Sequence, residues 1–158
     1  LGNLQKDGTY SVVPRMAGGQ AIDLASIGLR LTQTQLEQMH RLKTGALLQA
    51  SVMMGVACGV STAAAQKALA DYGAALGLAF QVVDDILDVV ADSATLGKTA
   101  GKDAASDKPT YVSLLGLAPA QAHAQELLAQ AHDALAASGL ADTRALAALA
   151  DMVVNRSY

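Results

Sequence analysis

Gly77-Leu-Ala-Phe-Gln-Val-Val-Asp-Asp-Ile-Leu-Asp88 decides how the chain is read. As a helix it sets Gln81, Asp84, Asp85 and Asp88 on one face, at i, i+3, i+4 and i+7. Leu76, Val83, Ile86 and Leu87 fall on the opposite face, where they can be buried. Gly73 and Gly77 lie on the polar side, and the reading expects them to leave it bare of side chains. The stretch is expected to be the C-terminal half of a long helix that Ser61 or Thr62 opens and that ends near Asp92. Carboxylates there oppose the helix macrodipole, and like charges three or four apart each cost about 0.2–0.5 kcal/mol. A cation reverses both penalties. Mg²⁺ is the natural one, since it is commonly held by one or two carboxylates plus the phosphates of a substrate. The plainer alternative is a solvated acidic face.

Outward from this stretch the chain is 158 residues long, one domain or a piece of one, 52% hydrophobic and 3% aromatic. Alanine, leucine and valine dominate, which favours close-packed helices over a sheet. A net charge of −3 argues against a nucleic-acid partner. The single cysteine, Cys58, excludes an internal disulfide, fits a reducing, cytoplasmic setting, and is expected to be an inert core thiol. No signal-peptide pattern is visible, and the absent initiator Met is read as a hint that residues precede Leu1. The apolar run from Gly45 to Ala65 is broken by Gln49, Ser51, Ser61 and Thr62. It is expected to be a buried core helix rather than a membrane span.

Every other segment reads as helix or loop. Residues 1–14 show no clear period. A helix is expected from Arg15 to about Ile27, with Gly28 ending it, and Gln20 and Asp23 share one of its faces. Thr34 with Glu37 is a capping-box signature, opening a helix to about Ala57 that carries Lys43-Thr44 in its middle. Ser93 to Pro109 is a polar loop with Lys98, Lys102 and Lys108. Its Gly97-Lys98-Thr99 is not a P-loop, because Asp92 stands where the motif needs glycine and a helix precedes it rather than a strand. Thr110 to Leu115 forms a short helix closed by Gly116. Pro119 takes the first position of the next helix, which runs to about Ser138, and Asp142 or Thr143 caps a last helix reaching nearly to Tyr158. His123 and His132 read as surface residues. The fold class is all-α.

An aspartate trio, a mid-helix Lys-Thr and a lysine-bearing loop together suit a magnesium–diphosphate complex. The metal links carboxylates to phosphate and the lysines neutralise the remaining charge. In order along the chain, Gly18-Gly19-Gln20 with Asp23, Met39 to Leu47 with Lys43-Thr44, Gly77 to Asp88, and Leu96-Gly97-Lys98 through Asp107-Lys108 and Tyr111 resemble the motifs of the trans-isoprenyl diphosphate synthases (polyprenyl synthetases), closest to the bacterial farnesyl diphosphate synthases. The match is taken to run from about Arg15 and to correspond to the C-terminal half of that family only. Residues 1–14 are set apart as a poorly matching lead within a single domain. The implied fold is a helical bundle of the isoprenoid synthase type, here only its C-terminal helices.

The resemblance implies a Mg²⁺-dependent prenyltransferase condensing isopentenyl diphosphate with an allylic diphosphate to farnesyl diphosphate, in a cytoplasmic homodimer that does not span a membrane. It makes Asp84, Asp85 and Asp88 the metal-binding motif. Lys43, Thr44, Gln81 and Asp84 become the catalytic set. Gln20, Asp23, Lys43, Thr44, Phe80, Gln81, Lys98 and Lys108 become the substrate contacts. The family's first Asp-rich motif does not occur in these residues, which puts the activity of this chain alone in question. A geranylgeranyl diphosphate synthase and a non-catalytic synthase-like helical subunit are the alternatives.

Overall fold

The computed structural model describes residues 13–95 and 109–156, and it is all-α in those residues. The helices are α1 (Val13–Ala25), α2 (Gln33–His40), α3 (Ala46–Ala57), α4 (Ala63–Thr95), α5 (Tyr111–Leu115), α6 (Leu117–Ala137) and α7 (Arg144–Val154). A five-residue π-helical segment, Arg41–Gly45, joins α2 to α3 without a break. The expectation that the chain supplies only the C-terminal helices of a bundle is corrected. Helices run through the described chain from Val13 to Val154 and pack as a bundle of their own.

Most boundaries follow from local chemistry. Thr62 Oγ1 accepts from the Ala65 N–H, so the threonine opens α4. Thr110 and Ser113 form a reciprocal capping box on α5. Gly28, Gly116 and Gly139 adopt positive φ at chain reversals, which side-chain-bearing residues rarely do. The α2 cap is Thr32 with Gln35, two residues before the expected Thr34–Glu37 pair. Both pairs fit the motif, and Glu37 is instead committed to Arg41, four residues on, at 2.6 Å. Pro119 stands third in α6, still within the turn whose N–H groups need no intrahelical partner. The last helix ends at Val154.

The core lies along α4. Leu78, Val82, Val83 and Ile86 pack with Leu36, Met39, Tyr111, Ala124 and Leu127, and Leu69, Tyr72 and Leu76 with Ala131, Leu135 and Ala150. The buried line of α6 (Ala120, Ala124, Leu127, Ala131, Leu135) is mostly alanine, so α6 lies close against α4. Tyr72 donates to the Leu146 carbonyl at 2.8 Å and ties α7 to the same helix.

Two expectations about α3 fail. It is apolar but largely exposed, with Ala46 its one buried residue and Leu47 and Met54 about half exposed. It packs mainly against α4, with a slighter contact from α1, which leaves most of its surface open, so hydrophobic composition does not place it in the core. Cys58, at its C-terminal cap, is exposed rather than buried. No described helix is long and apolar enough to cross a membrane.

Glycines set the closest approaches. A Cβ on Gly77 would lie 2.7 Å from the Gly45 Cα, and one on Gly73 would lie 3.0 Å from the Gln49 Cα. These two glycines therefore do not clear a polar face, as the sequence suggested. They bring α4 into backbone contact with the π-helical segment and α3. A Cβ on Gly19 would lie 2.3 Å from the Lys43 nitrogen, so α1 is pressed onto the same segment.

Candidate functional site

Lys43 and Thr44 sit at the centre of the π-helical segment, held between α1 and α4 by Gly19 and by the Gly45–Gly77 contact. A π-turn inside an α-helix rotates the following residues out of their ordinary register and is frequently found at functional sites. Lys43 Nζ donates to Asp23 Oδ2 at 2.6 Å; the carboxylate is buried and the ammonium half-exposed. Asp23 thus anchors Lys43. Gln20 is exposed, and Thr44 is half-buried.

On α4, Gln81 is buried and its Nε2 donates to Asp84 Oδ2 at 3.3 Å. His40 Nδ1 meets Gln81 Oε1 at 3.1 Å, and its ring stacks on Tyr111 with centroids 5.7 Å apart. The Tyr111 N–H donates to Asp85 Oδ2 at 2.7 Å. Arg156, just beyond α7, donates to Asp84 Oδ1 and to the Phe80 carbonyl, and lies 4.2 Å above the Phe80 ring. Phe80 is thereby covered by a guanidinium. Asp88 is exposed. Helix α4 continues to Thr95, so the aspartates lie more than a turn inside its end. The macrodipole penalty expected for them is correspondingly weak.

Burial dominates the electrostatics. Asp85 is pushed up to about 6, first by desolvation, against the Tyr111 N–H and the Lys43 charge. Asp84 is also raised, by desolvation and by Asp88, with Arg156 opposing. His40 is lowered, chiefly by burial. Lys43 acts on both His40 and Asp85, so the lysine and the acidic face share one electrostatic environment.

A carboxyl raised from 3.8 to about 6 is protonated in the folded chain while the unfolded chain has already released its proton. Stability on its account therefore falls as pH rises from about 4 to 6, and the loss is complete above that. The difference corresponds to about 3 kcal/mol at most. Asp85→Asn keeps an acceptor for Tyr111 and is expected to raise the urea midpoint at pH 7 while leaving it nearly unchanged at pH 4. An equal gain at both values would contradict the assignment.

The three aspartates are not gathered around one point. Among the described residues no group of three or more histidine, cysteine or carboxylate side chains could hold a metal ion. Asp84 is turned to Arg156, Asp85 to the Tyr111 backbone, and Asp88 to solvent. Lys98 and Lys108 lie outside the described residues. His132 is at the surface as expected and pairs with Asp151 at 2.8 Å. His123 is only partly at the surface. Its ring packs 5.6 Å from Tyr111 with Nε2 buried. Sequence reasoning missed His40 and Arg156, both of which bear on the aspartate face. His40 follows Met39 inside a quoted motif, while nothing local marks Arg156.

Behind the aspartate face, Val83, Ile86, Leu87 and Val90 of α4 and Ala124 of α6 line an apolar cavity of about 710 Å³. Arg156 borders it and also reaches Asp84, so a charged group and an apolar hollow adjoin.

Fold and site together define an all-α bundle with an acidic helix face and a lysine coupled to it. The polyprenyl synthetase family model matches residues 9–145, and the chain belongs to that family, the trans-isoprenyl diphosphate synthases. It is 52% identical over 127 residues to the "Probable farnesyl diphosphate synthase" of Bradyrhizobium diazoefficiens, covering 78% of this chain and 38% of that protein. It is 45% identical over 150 residues to farnesyl diphosphate synthase of Escherichia coli, covering 93% and 50%. Among solved structures it resembles Helicobacter pylori geranyltransferase complexed with magnesium and isoprenyl diphosphate, with TM-score 0.66, 36% identity and coverage of 88% and 45%.

These matches correct the restriction of the resemblance to a C-terminal half beginning near Arg15. Similarity covers nearly the whole chain and reaches into the lead segment that had been set apart. The chain spans half or less of the length of the curated relatives it matches.

Proposed function

We propose that the protein bearing this chain is a Mg²⁺-dependent prenyltransferase that joins isopentenyl diphosphate to an allylic diphosphate and forms farnesyl diphosphate. The observation that carries the reading is the Gly45–Gly77 contact, which seats the segment bearing Lys43 against the helix bearing the aspartates. A cation for phosphate and carboxylates for a metal thus sit in one field, in a chain 45% identical to a farnesyl diphosphate synthase.

The donor set suits magnesium. Asp84 already takes a cation, the Arg156 guanidinium, on Oδ1, and Asp88 adds charge one turn on. One or two carboxylates plus substrate phosphates are what Mg²⁺ ordinarily needs, so a three-residue protein cage is not required. When bound, the metal would neutralise charge developing on the leaving diphosphate. Asp84 and Asp88 would hold it, with Asp85 completing the motif.

Lys43, fixed by Asp23, would contact the allylic diphosphate, with Lys98 and Lys108 as further phosphate contacts. The allylic C–O bond breaks and pyrophosphate leaves with the electron pair. The isopentenyl double bond then forms the new C–C bond, and a proton is lost to pyrophosphate. Thr44 and Gln81 would present oxygen dipoles to the positive charge. The apolar cavity beyond Arg156 suits a prenyl tail. The reading includes a cytoplasmic homodimer, as the family resemblance implies.

The test is calorimetric titration of the chain with geranyl diphosphate, with and without Mg²⁺, beside an assay of prenyl chain elongation. Binding that requires Mg²⁺ and vanishes with EDTA is expected, with farnesyl diphosphate as the product of the protein. A protein bearing this chain that neither binds a diphosphate in the presence of Mg²⁺ nor elongates geranyl diphosphate would overturn the proposal.

A further inference from the structure

His40 is almost closed off from solvent. It is buried on α2, its ring lies against Tyr111 with an interplanar angle of 22°, and its two nitrogens face α4. Nδ1 is 3.1 Å from Gln81 Oε1, and Nε2 is 4.0 Å from Asp85 Oδ2. No hydrogen bond reaches Nε2.

The hydrogen-bond inventory of these groups leaves one arrangement. Asp84, paired with Arg156 through Oδ1, is a carboxylate and can only accept. The Gln81 group 3.3 Å from Asp84 Oδ2 must therefore be the amide nitrogen. That turns Gln81 Oε1 toward His40. An amide oxygen only accepts, so His40 Nδ1 must carry the proton. The opposite tautomer would set two lone pairs 3.1 Å apart and leave its Nε2–H 4.0 Å from Asp85 Oδ2, too far for a hydrogen bond.

We infer that His40 is a positioning residue: as its Nδ1–H tautomer it orients the Gln81 amide, which holds Asp84 Oδ2 and presents Oδ1 to a cation. The inference rests on the reading of this face as a magnesium site and deepens it. Three helices cooperate in the relay. His40 comes from α2, Gln81 and Asp84 from α4, and Tyr111 from α5 clamps the ring while its N–H holds Asp85. Groups one step behind a metal ligand commonly tune metal affinity through such contacts. His40 would act this way on Asp84, without touching metal or substrate.

The first measurement is a long-range ¹H–¹⁵N spectrum of the ¹⁵N-labelled chain at neutral pH. The other two histidines are identified with His123→Gln and His132→Gln. The expected signature for His40 is a protonated Nδ1 with a bare Nε2, lost in Gln81→Leu. A protonated Nε2 in the unmodified chain, alone or in an imidazolium, would overturn the inference.

The second measurement is titration with Mg²⁺ alone. His40→Leu is expected to weaken binding about tenfold. His40→Asn, whose side-chain N–H replaces Nδ1–H, is expected to stay within about twofold of the unmodified chain. Equal affinity of a helical His40→Leu variant and the unmodified chain would overturn the positioning role. An unmodified chain that binds no Mg²⁺ would instead defeat the magnesium site, while the spectrum would still decide the tautomer.

Discussion

Asp84→Ala is expected to weaken Mg²⁺-dependent diphosphate binding about a hundredfold or more, with helix content unchanged. The size follows from what Asp84 combines. It is half-buried, already bears a cation on Oδ1, and has its other oxygen fixed by Gln81. A carboxylate pre-oriented in this way loses little entropy when it takes a metal, so its removal costs more than that of the exposed Asp88. The fold should tolerate the change, because Arg156 keeps the Phe80 carbonyl and ring as partners. Circular dichroism with calorimetry of geranyl diphosphate binding separates the two effects. Near-normal affinity in a well-folded Asp84→Ala variant would remove Asp84 from the metal site.

The second large effect is on stability. Gly77→Val is expected to destabilise the chain by about 3 kcal/mol, the upper end for a residue forced into a packed interior. For a chain of this length that lowers the melting temperature by roughly 6–12 °C. The clash is with backbone, 2.7 Å from the Gly45 Cα, so no side-chain rotation relieves it. Helix α4 would have to move away from the segment that carries Lys43, so the acidic face and the lysine would separate as well. Gly55→Ala is the control. It lies in the last turn of α3 with open space at its Cβ, and should stabilise by about 0.5 kcal/mol through helix propensity. If the two substitutions shift the melting temperature alike, the close approach at Gly77 is not what holds the helices together.

Much of this was legible in the residues. The i, i+3, i+4, i+7 spacing of Gln81, Asp84, Asp85 and Asp88 put them on one face. Thr62, Thr110 and the glycines at 28 and 116 marked helix ends, because caps and reversals are set within a few residues. Family motifs identified Lys43 and the aspartates for the same reason: each motif is a short local string.

What lay beyond reach was the choice of partner. Hydropathy placed α3 and Cys58 in the core, but burial depends on which neighbour arrives, and α3 packs mainly against α4 with most of its surface left open. Gly73 and Gly77 read as gaps on a polar face until the opposing backbone of Gly45 and Gln49 was in place. The same holds for His40 and Gln81, 41 residues apart, and for Arg156 and Asp84, 72 apart. Periodicity determined the helices and the composition of their faces, because both are properties of neighbouring residues. Tertiary packing alone decided which carboxylate has a cation, which histidine orients an amide, and which glycines are contacts. Those depend on distances between helices that no single stretch of chain encodes.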